Sequence, residues 1–252
     1  MKVSIITVSF NSVNTIKKTL ESVKNQDYSD IELIVIDGKS HDSTVSIINE
    51  YKSYVDKFVS ESDEGIYDAM NKGIAMATGD LIGILNSDDY LHDNKVITNI
   101  VKFHKNNILD ISVGNVTQFN IKRTIRIYSS KNWSPNKLKY GFMPPHPAVF
   151  IKKHVYDKFG LYKLNYGIAA DYEIMIRFFL LNNITWGYSG LTTTKMLIGG
   201  VSSSGIKSYR QITKDILQGF SENNIKVFKL FINFRVIYKL IEFIKIKKLN
   251  EK

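Results

Sequence analysis

What most restricts the fold of this chain is a rhythm in its first half. Short apolar, β-branched runs at residues 3–9 (VSIITVS), 31–36 (IELIVI), 55–59 and 81–85 (LIGIL) alternate with stretches whose apolar residues recur at helical spacing. Ile16, Leu20 and Val23 form one stripe, and Val45, Ile48 and Tyr51 a second. A third helix is predicted from Gly65-Ile66 to about Met76, ended by Gly79. Asn11 or Ser12 suits the start of the first helix, and Asp42 or Ser43 that of the second. Strand, helix, strand at this interval predicts an α/β, Rossmann-like fold, a mostly parallel central sheet with helices on both faces.

That frame gives position to the polar residues. Thr7, Ser9, Asn11, Asp37, Asp63, Asp88 and Asp89 all fall at or just beyond predicted strand C-termini, the edge where open α/β sheets bind ligands. Asn86-Ser87-Asp88-Asp89 follows the 81–85 run directly. Two adjacent carboxylates there suit a hard divalent cation that also carries phosphate oxygens, and so an enzyme acting on a nucleotide-linked diphosphate. An acidic turn leading into Tyr90 is the plainer alternative, as a turn acid before Gly38 is for Asp37. GxGxxG, GxxxxGK, HExxH and calcium-loop patterns are absent, so the usual NAD and ATP readings lack their signatures.

The second half is expected to hold a helix at 94–106, strands at 111–116 and 121–128, and a loop at 131–140. Pro144-Pro145 stiffens the approach to His146 and an apolar strand at 148–151. Asp171 opens a helix carrying Ile174, Phe178 and Leu181, at an end whose free amides favour an acid. A short strand at 186–189, a Gly/Ser loop at 196–204 and a helix at 207–222 complete it. The absence of cysteine removes disulfides, thiolate chemistry and cysteine zinc sites. Residues 1–10 read as a first strand and not a signal peptide, and no run of 18 apolar residues occurs. The net charge of +10 is concentrated in residues 225–252, where eight Lys/Arg face two Glu among many Ile, Phe and Leu. Such a basic amphipathic helix suits an anionic inner leaflet, with packing on the body or on a second subunit of a homodimer as the alternatives. No nucleic-acid reading motif accompanies the charge, so nucleic acid is not an expected partner.

TVSFN at 7–11, VIDGKSHDST at 35–44, ESDEGIYDAMNKGI at 61–74, GDLIGILNSDD at 79–89, the histidine after Pro145 and AADYE at 169–173 occur in order. Together they resemble the inverting family-2 glycosyltransferases, above all the bacterial members that build O-antigen, capsule and exopolysaccharide, over residues 3–205. The resemblance implies a nucleotide-diphospho-sugar transferase fold of the GT-A type. It also implies a single catalytic domain at 1–224, with a nucleotide-sugar half (1–106), an acceptor half (107–224) and a separate tail (225–252). By resemblance Thr7, Phe10 and Asn11 line the nucleoside site of a UDP-sugar, and Asp37 meets the base. Asp63 and Asn71 shape the donor pocket, while Lys72 either approaches a phosphate or stays solvated. Asp89 is the principal ligand of Mn²⁺ or Mg²⁺, with Asp88 on the ribose or the metal. His146 has three readings: a structural histidine, an acceptor or pyrophosphate contact, or a further metal ligand. Residues 199–202 are either a simple turn or a loop closing over the diphosphate. The implied acceptor is an undecaprenyl-diphosphate-linked sugar at the cytoplasmic face of the membrane. Where the family often has Gly or Asp-Gly, this chain has Lys39 and His41-Asp42-Ser43.

The chemistry has its own logic. A sugar's bond to a diphosphate breaks more easily when a cation neutralises the growing charge. In a single displacement the acceptor hydroxyl attacks from the opposite face, and a carboxylate takes its proton. Asp171 is the candidate base, with Glu173 the second choice. Because a helix N-terminus lowers a carboxylate's pKa, burial must offset that effect if Asp171 is to serve. The expected reaction is metal-dependent transfer of a hexose or N-acetylhexosamine with inversion. A binding protein that retains the fold without catalysis, and a sugar-phosphate nucleotidyltransferase that releases diphosphate from UTP, are the competing readings.

Overall fold

A computed structural model describes residues 1–120, 124–199, 205–233 and 235. Strands β1 (Val3–Ser9), β2 (Ile31–Asp37), β3 (Lys57–Ser60) and β4 (Leu81–Ile84) are parallel in the order β3-β2-β1-β4. Helices α1 (Ile16–Lys24), α2 (Thr44–Glu50) and α3 (Ile66–Met76) make the crossovers between them. Side chains of β1 alternate between two cores. Val3 and Ile5 join Leu20, Leu33, Ile48 and Ile100 on one side of the sheet. Ile6 and Val8 join Ile34, Met70, Ile74 and Ile174 on the other. Burial on both faces is why these strands read as unbroken apolar runs. Each fully buried Leu or Ile contributes about 1.5–3 kcal/mol. Gly73 lets α3 lie close on β1: a Cβ there would stand 2.3 Å from Ile6 Cγ2.

The sheet continues through β8 (Val149–Lys152), β6 (Ile111–Phe119), β9 (Trp186–Leu197) and β5 (Tyr90–Leu91), with β7 (Thr124–Tyr128) paired to β6. The expectation of a mostly parallel sheet needs correction here, because the sheet is mixed. β8 runs against both β4 and β6, β5 runs against β9, and β7 against β6, while β6 and β9 are parallel. A parallel neighbour for β4 would require a crossover. The chain instead enters β8 through a 3-10 turn, His146–Ala148, at the edge where β4 ends. One nine-stranded sheet thus joins both halves of the chain.

Local departures have local causes. The third strand starts at Lys57, two residues later than its apolar run. The strand expected at 186–189 extends for 12 residues through Leu197, across Gly190 at φ 73°, where the pairing with β6 shifts register. That glycine and the three threonines after it hid the strand's continuation. Neither Asn11 nor Ser12 caps α1, which starts after Thr15; Asn11 adopts φ 48° in the preceding loop. The supposed loop at 131–140 contains a 3-10 helix, Pro135–Tyr140. α4 (Val96–Asn107), α6 (Ala170–Leu181) and α7 (Ile206–Glu222) lie close to their expected places, and α5 (Lys153–Phe159) was not foreseen. Ile225 and Val227 pack against the core and Ile232 is fully buried, so the first part of the 225–252 segment rests on the body. Residues 234 and 236–252, and residues 200–204 of the expected Gly/Ser loop, lie outside the described residues. No helix among the described residues is long and apolar enough to cross a membrane.

Candidate active site

The strand order locates a crevice. From β1 the chain winds outward to β2 and β3, then returns to place β4 on β1's other side. The switch point therefore lies between the ends of β1 and β4, where ligands of open α/β sheets bind. Beyond β4 the ladder is prolonged by Leu85 N–H to Ile6 O (2.9 Å) and Ser87 N–H to Val8 O (3.2 Å). The hydroxyls of Ser12 and Ser87 meet across it at 2.7 Å. Thr7 Oγ1 and Asn86 Oδ1, one from each lip, are buried without a hydrogen-bond partner.

Asp88 and Asp89 sit in the turn that closes on Asn86. Thr19 Oγ1 fixes this turn by donating to Ser87 O (3.0 Å) and Asp89 O (2.7 Å). Asp89 is 2% exposed, and its carboxylate accepts the Leu197 amide at 3.2 Å from the end of β9. Burial, reinforced by Asp88 beside it, pushes the Asp89 pKa well up; burial also raises that of Asp88. No described Lys or Arg pairs with either acid. Two desolvated carboxylates without a counter-charge suit a hard cation. No three His, Asp or Glu side chains among the described residues gather as a metal-holding group.

Asp37 is fully buried at the end of β2. Its carboxylate accepts the hydroxyls of Ser9 (3.0 Å), Ser40 (2.5 Å) and Ser60 (2.7 Å) and the Ser40 amide (2.9 Å). It thereby ties the ends of β1, β2 and β3 to one loop. Asn11 Oδ1 accepts the His41 amide at 2.9 Å, and the ring of Phe10, 59% exposed, meets His41 edge-on at 6.4 Å. Lys39 occupies the left-handed region at φ 60°, a conformation that favours glycine. Asp63 accepts the Gly65 amide at 2.9 Å and rests on Gly38. Asn71 is paired twice with the Tyr162 backbone, at 2.8 and 2.9 Å. Lys72 is held by Glu61 (2.9 Å) and Asp68 (3.2 Å).

The second half brings one acid back to the first. Tyr67, in the opening turn of α3, donates to Asp171 Oδ1 at 3.3 Å and to Ile168 O. Asp171 also accepts the Tyr172 amide at 2.9 Å, yet burial outweighs both bonds and raises its pKa to about 6. The offset that the helix start demanded is therefore present. Tyr67 stacks on Tyr162 at 5.6 Å, and the Tyr162 hydroxyl meets His146 Nε2 at 2.9 Å. Burial lowers the His146 pKa to about 4, which keeps it neutral. Glu173, the second-choice base, is buried in an ion pair with Arg177 (2.9 Å) and Lys163 (3.1 Å). Burial pushes its pKa up, but Arg177, Asn223 and Lys163 outweigh that and hold it below the usual range.

Sequence reasoning missed Tyr67, Tyr162 and Asp215. Asp215 is buried in α7 and accepts the Ile168 and Ala169 amides at 2.7 and 3.0 Å, which fixes the segment leading into α6. Tyr67 lay inside a recognised run; nothing local marked Asp215. An open cleft lined by Met1, Thr78, Asp80 and Lys152 lies at the opposite edge of the sheet and shares none of these residues.

Known proteins of similar sequence and fold give the family. A Mycobacterium tuberculosis chain named only as an uncharacterized glycosyltransferase is 36% identical over 180 residues, 69% of this chain and 68% of its own. The Escherichia coli UDP-Glc:alpha-D-GlcNAc-diphosphoundecaprenol beta-1,3-glucosyltransferase WfgD is 28% identical over 93% of this chain and 92% of its own. A crystal structure of S. aureus TarS 1-349 in complex with UDP-GlcNAc matches with a TM-score of 0.71 over 92% of this chain and 70% of that one; at 17% identity this likeness concerns the fold. Residues 4–180, which carry both the acid pair and Asp171, match the description "Glycosyl transferase family 2", so the chain belongs to that family and is a glycosyltransferase.

Proposed function

We propose a metal-dependent, inverting transfer of a hexose or N-acetylhexosamine from a UDP-sugar to a lipid-linked oligosaccharide in surface-polysaccharide synthesis. The observation that carries this reading is that Tyr67 ties Asp171 to α3, whose neighbouring strands end in the crevice flanked by Asp88 and Asp89. UDP as the carrier is supported by the donor named for the E. coli relative and by the UDP-GlcNAc in the S. aureus complex. A diphosphate-lipid acceptor is supported by that same relative, which aligns over nearly the whole chain.

Asp89, with Asp88, fits as the holder of Mn²⁺ or Mg²⁺, since both are hard oxygen donors lacking a counter-charge among the described residues. When bound, the cation supplies the positive charge that a departing diphosphate needs. Thr7 and the exposed rim of Phe10 and Asn11 border the nucleoside side, and Asp37 holds that rim in shape. Asp171 takes the proton of the acceptor hydroxyl as its oxygen attacks the anomeric carbon. The bond to the diphosphate breaks with its electron pair, and an α-linked donor gives a β-linked product. A base with a pKa near 6 is ionised at neutral pH and still competent to accept a proton.

The test is UDP release from a panel of UDP-sugars in the presence of a synthetic diphosphate-lipid sugar, with the product anomer read by NMR. Divalent-dependent UDP release with a β product is expected. An α product, or release of diphosphate from UTP and a sugar phosphate, would overturn the reading.

A further inference from the structure

Outside the crevice, several exposed apolar side chains of the second half lie on two segments that meet. Phe228 is 73% exposed, Leu230 70% and Tyr140 45%. Phe231 joins them, with its ring 5.4 Å from Tyr140 and 5.6 Å from Phe228. Two distant segments therefore make one face: the 3-10 helix Pro135–Tyr140 and the stretch beginning at Lys226. Exposed Lys137, Lys139, Lys226 and Lys229 lie on the same segments, and residues 131–140 and 224–233 contain no Asp or Glu.

The face is firmly seated. Leu138 and Ile232 beneath it are fully buried, and Arg235 bonds Thr213 at 2.6 Å. Gly141, at φ 84°, lets the two segments close: a Cβ there would lie 2.9 Å from Ile232 O. The Tyr172 hydroxyl donates to Leu138 O, which ties the face to the residue next to Asp171.

We infer that this face docks on an anionic lipid bilayer, with Tyr140, Phe228 and Leu230 entering the headgroup boundary and the lysines meeting anionic headgroups. Aromatic and aliphatic tips among lysines, with no acid among them, are the chemistry of such a boundary. Lysine is depleted in protein–protein interfaces, and a second copy would bring the same positive charge against this one. The inference does not depend on which acceptor is used; if the acceptor is lipid-linked, docking here sets the Asp171 side of the molecule near the membrane.

The experiment is cosedimentation of the full chain with vesicles of equal parts phosphatidylglycerol and phosphatidylcholine, against pure phosphatidylcholine. Binding to the anionic vesicles alone, weakened by salt, is expected. Phe228→Ser with Leu230→Ser should weaken it by about tenfold or more, and Lys137→Gln with Lys139→Gln should erode the preference for anionic lipid. All four positions are exposed and outside the crevice, so UDP release with a soluble acceptor should not change; that assay separates failure of docking from failure of the proposed reaction. Vesicle binding equal to wild type in the Phe228/Leu230 variant would overturn the inference by assigning docking to residues 236–252. Loss of self-association or of oligonucleotide binding in these variants, with no vesicle binding by wild type, would overturn it in favour of a protein or nucleic-acid partner.

Discussion

Asp37, at the end of a first-half strand, and Asp171, at the start of a second-half helix, are acids of the same kind, and their surroundings treat them oppositely. The first half surrounds Asp37 with three hydroxyls and an amide, enough to occupy the carboxylate's lone pairs. Asp171 receives only a tyrosine hydroxyl at 3.3 Å, reaching across from the first half, and one amide, and burial raises its pKa to about 6. A carboxylate solvated by its own protein makes a fixed anchor; one left short of donors keeps an appetite for a proton. Asp89 belongs with the second kind by burial, although it stands in the first half, and its deficit suits a cation.

The largest effect should come from that deficit. Asp89→Ala should lower transfer by about 10³-fold, the scale of losing a charge-stabilising group, and a chelator should do the same to wild type until Mn²⁺ or Mg²⁺ is restored. Measured without metal, the variant should melt higher than wild type, because an uncompensated buried carboxylate is gone. Retained activity would place Asp89 with the anchors.

Tyr67→Phe sharpens the contrast. Removing a donor from Asp171 should raise its pKa further, so the acid limb of the rate profile moves to higher pH and a rise of about one unit lowers transfer at pH 6 by about fivefold. A limb that does not move would leave Tyr67 a packing residue.

Glu173 provides the control. Glu173→Gln should leave turnover intact at neutral pH while costing about 3 kcal/mol in denaturant unfolding, since Arg177 and Lys163 lose their buried partner. Its depressed pKa sets the sign: the stability it contributes is present above the ordinary glutamate value and is lost as pH falls through the lowered one. Loss of turnover without loss of stability would restore it as a base. The smallest effect is expected at Lys39, where glycine should relieve the left-handed backbone and raise stability by about 1 kcal/mol in the same measurement.

The two halves also differed in how much their sequences disclosed. In the first, strands buried on both faces read as apolar runs, helices carried their stripes, and the acids followed each strand within a few residues. Those relations are local. In the second, β8 reverses between β4 and β6, and β9 bends at Gly190; such pairings join residues tens of positions apart and leave no periodic trace. Tyr67 and Asp171 are 104 residues apart, and Asp215 reaches Ile168 from another helix. Glu173 and Arg177, one helical turn apart, did offer a local sign of their pairing.

In the proposed reaction Asp171 is the proton acceptor. The most direct measurement is the pH dependence of kcat/KM for wild type and Asp171→Asn, with UDP binding followed by calorimetry. Wild type should lose activity below about pH 6. The variant should run about 10²–10⁴-fold slower with no such limb and bind UDP as before. It should also melt higher above pH 6, because the cost of ionising the buried acid grows as pH rises from the ordinary value of 3.8 to about 6. A variant that keeps both the wild-type rate and its acid limb would contradict the account.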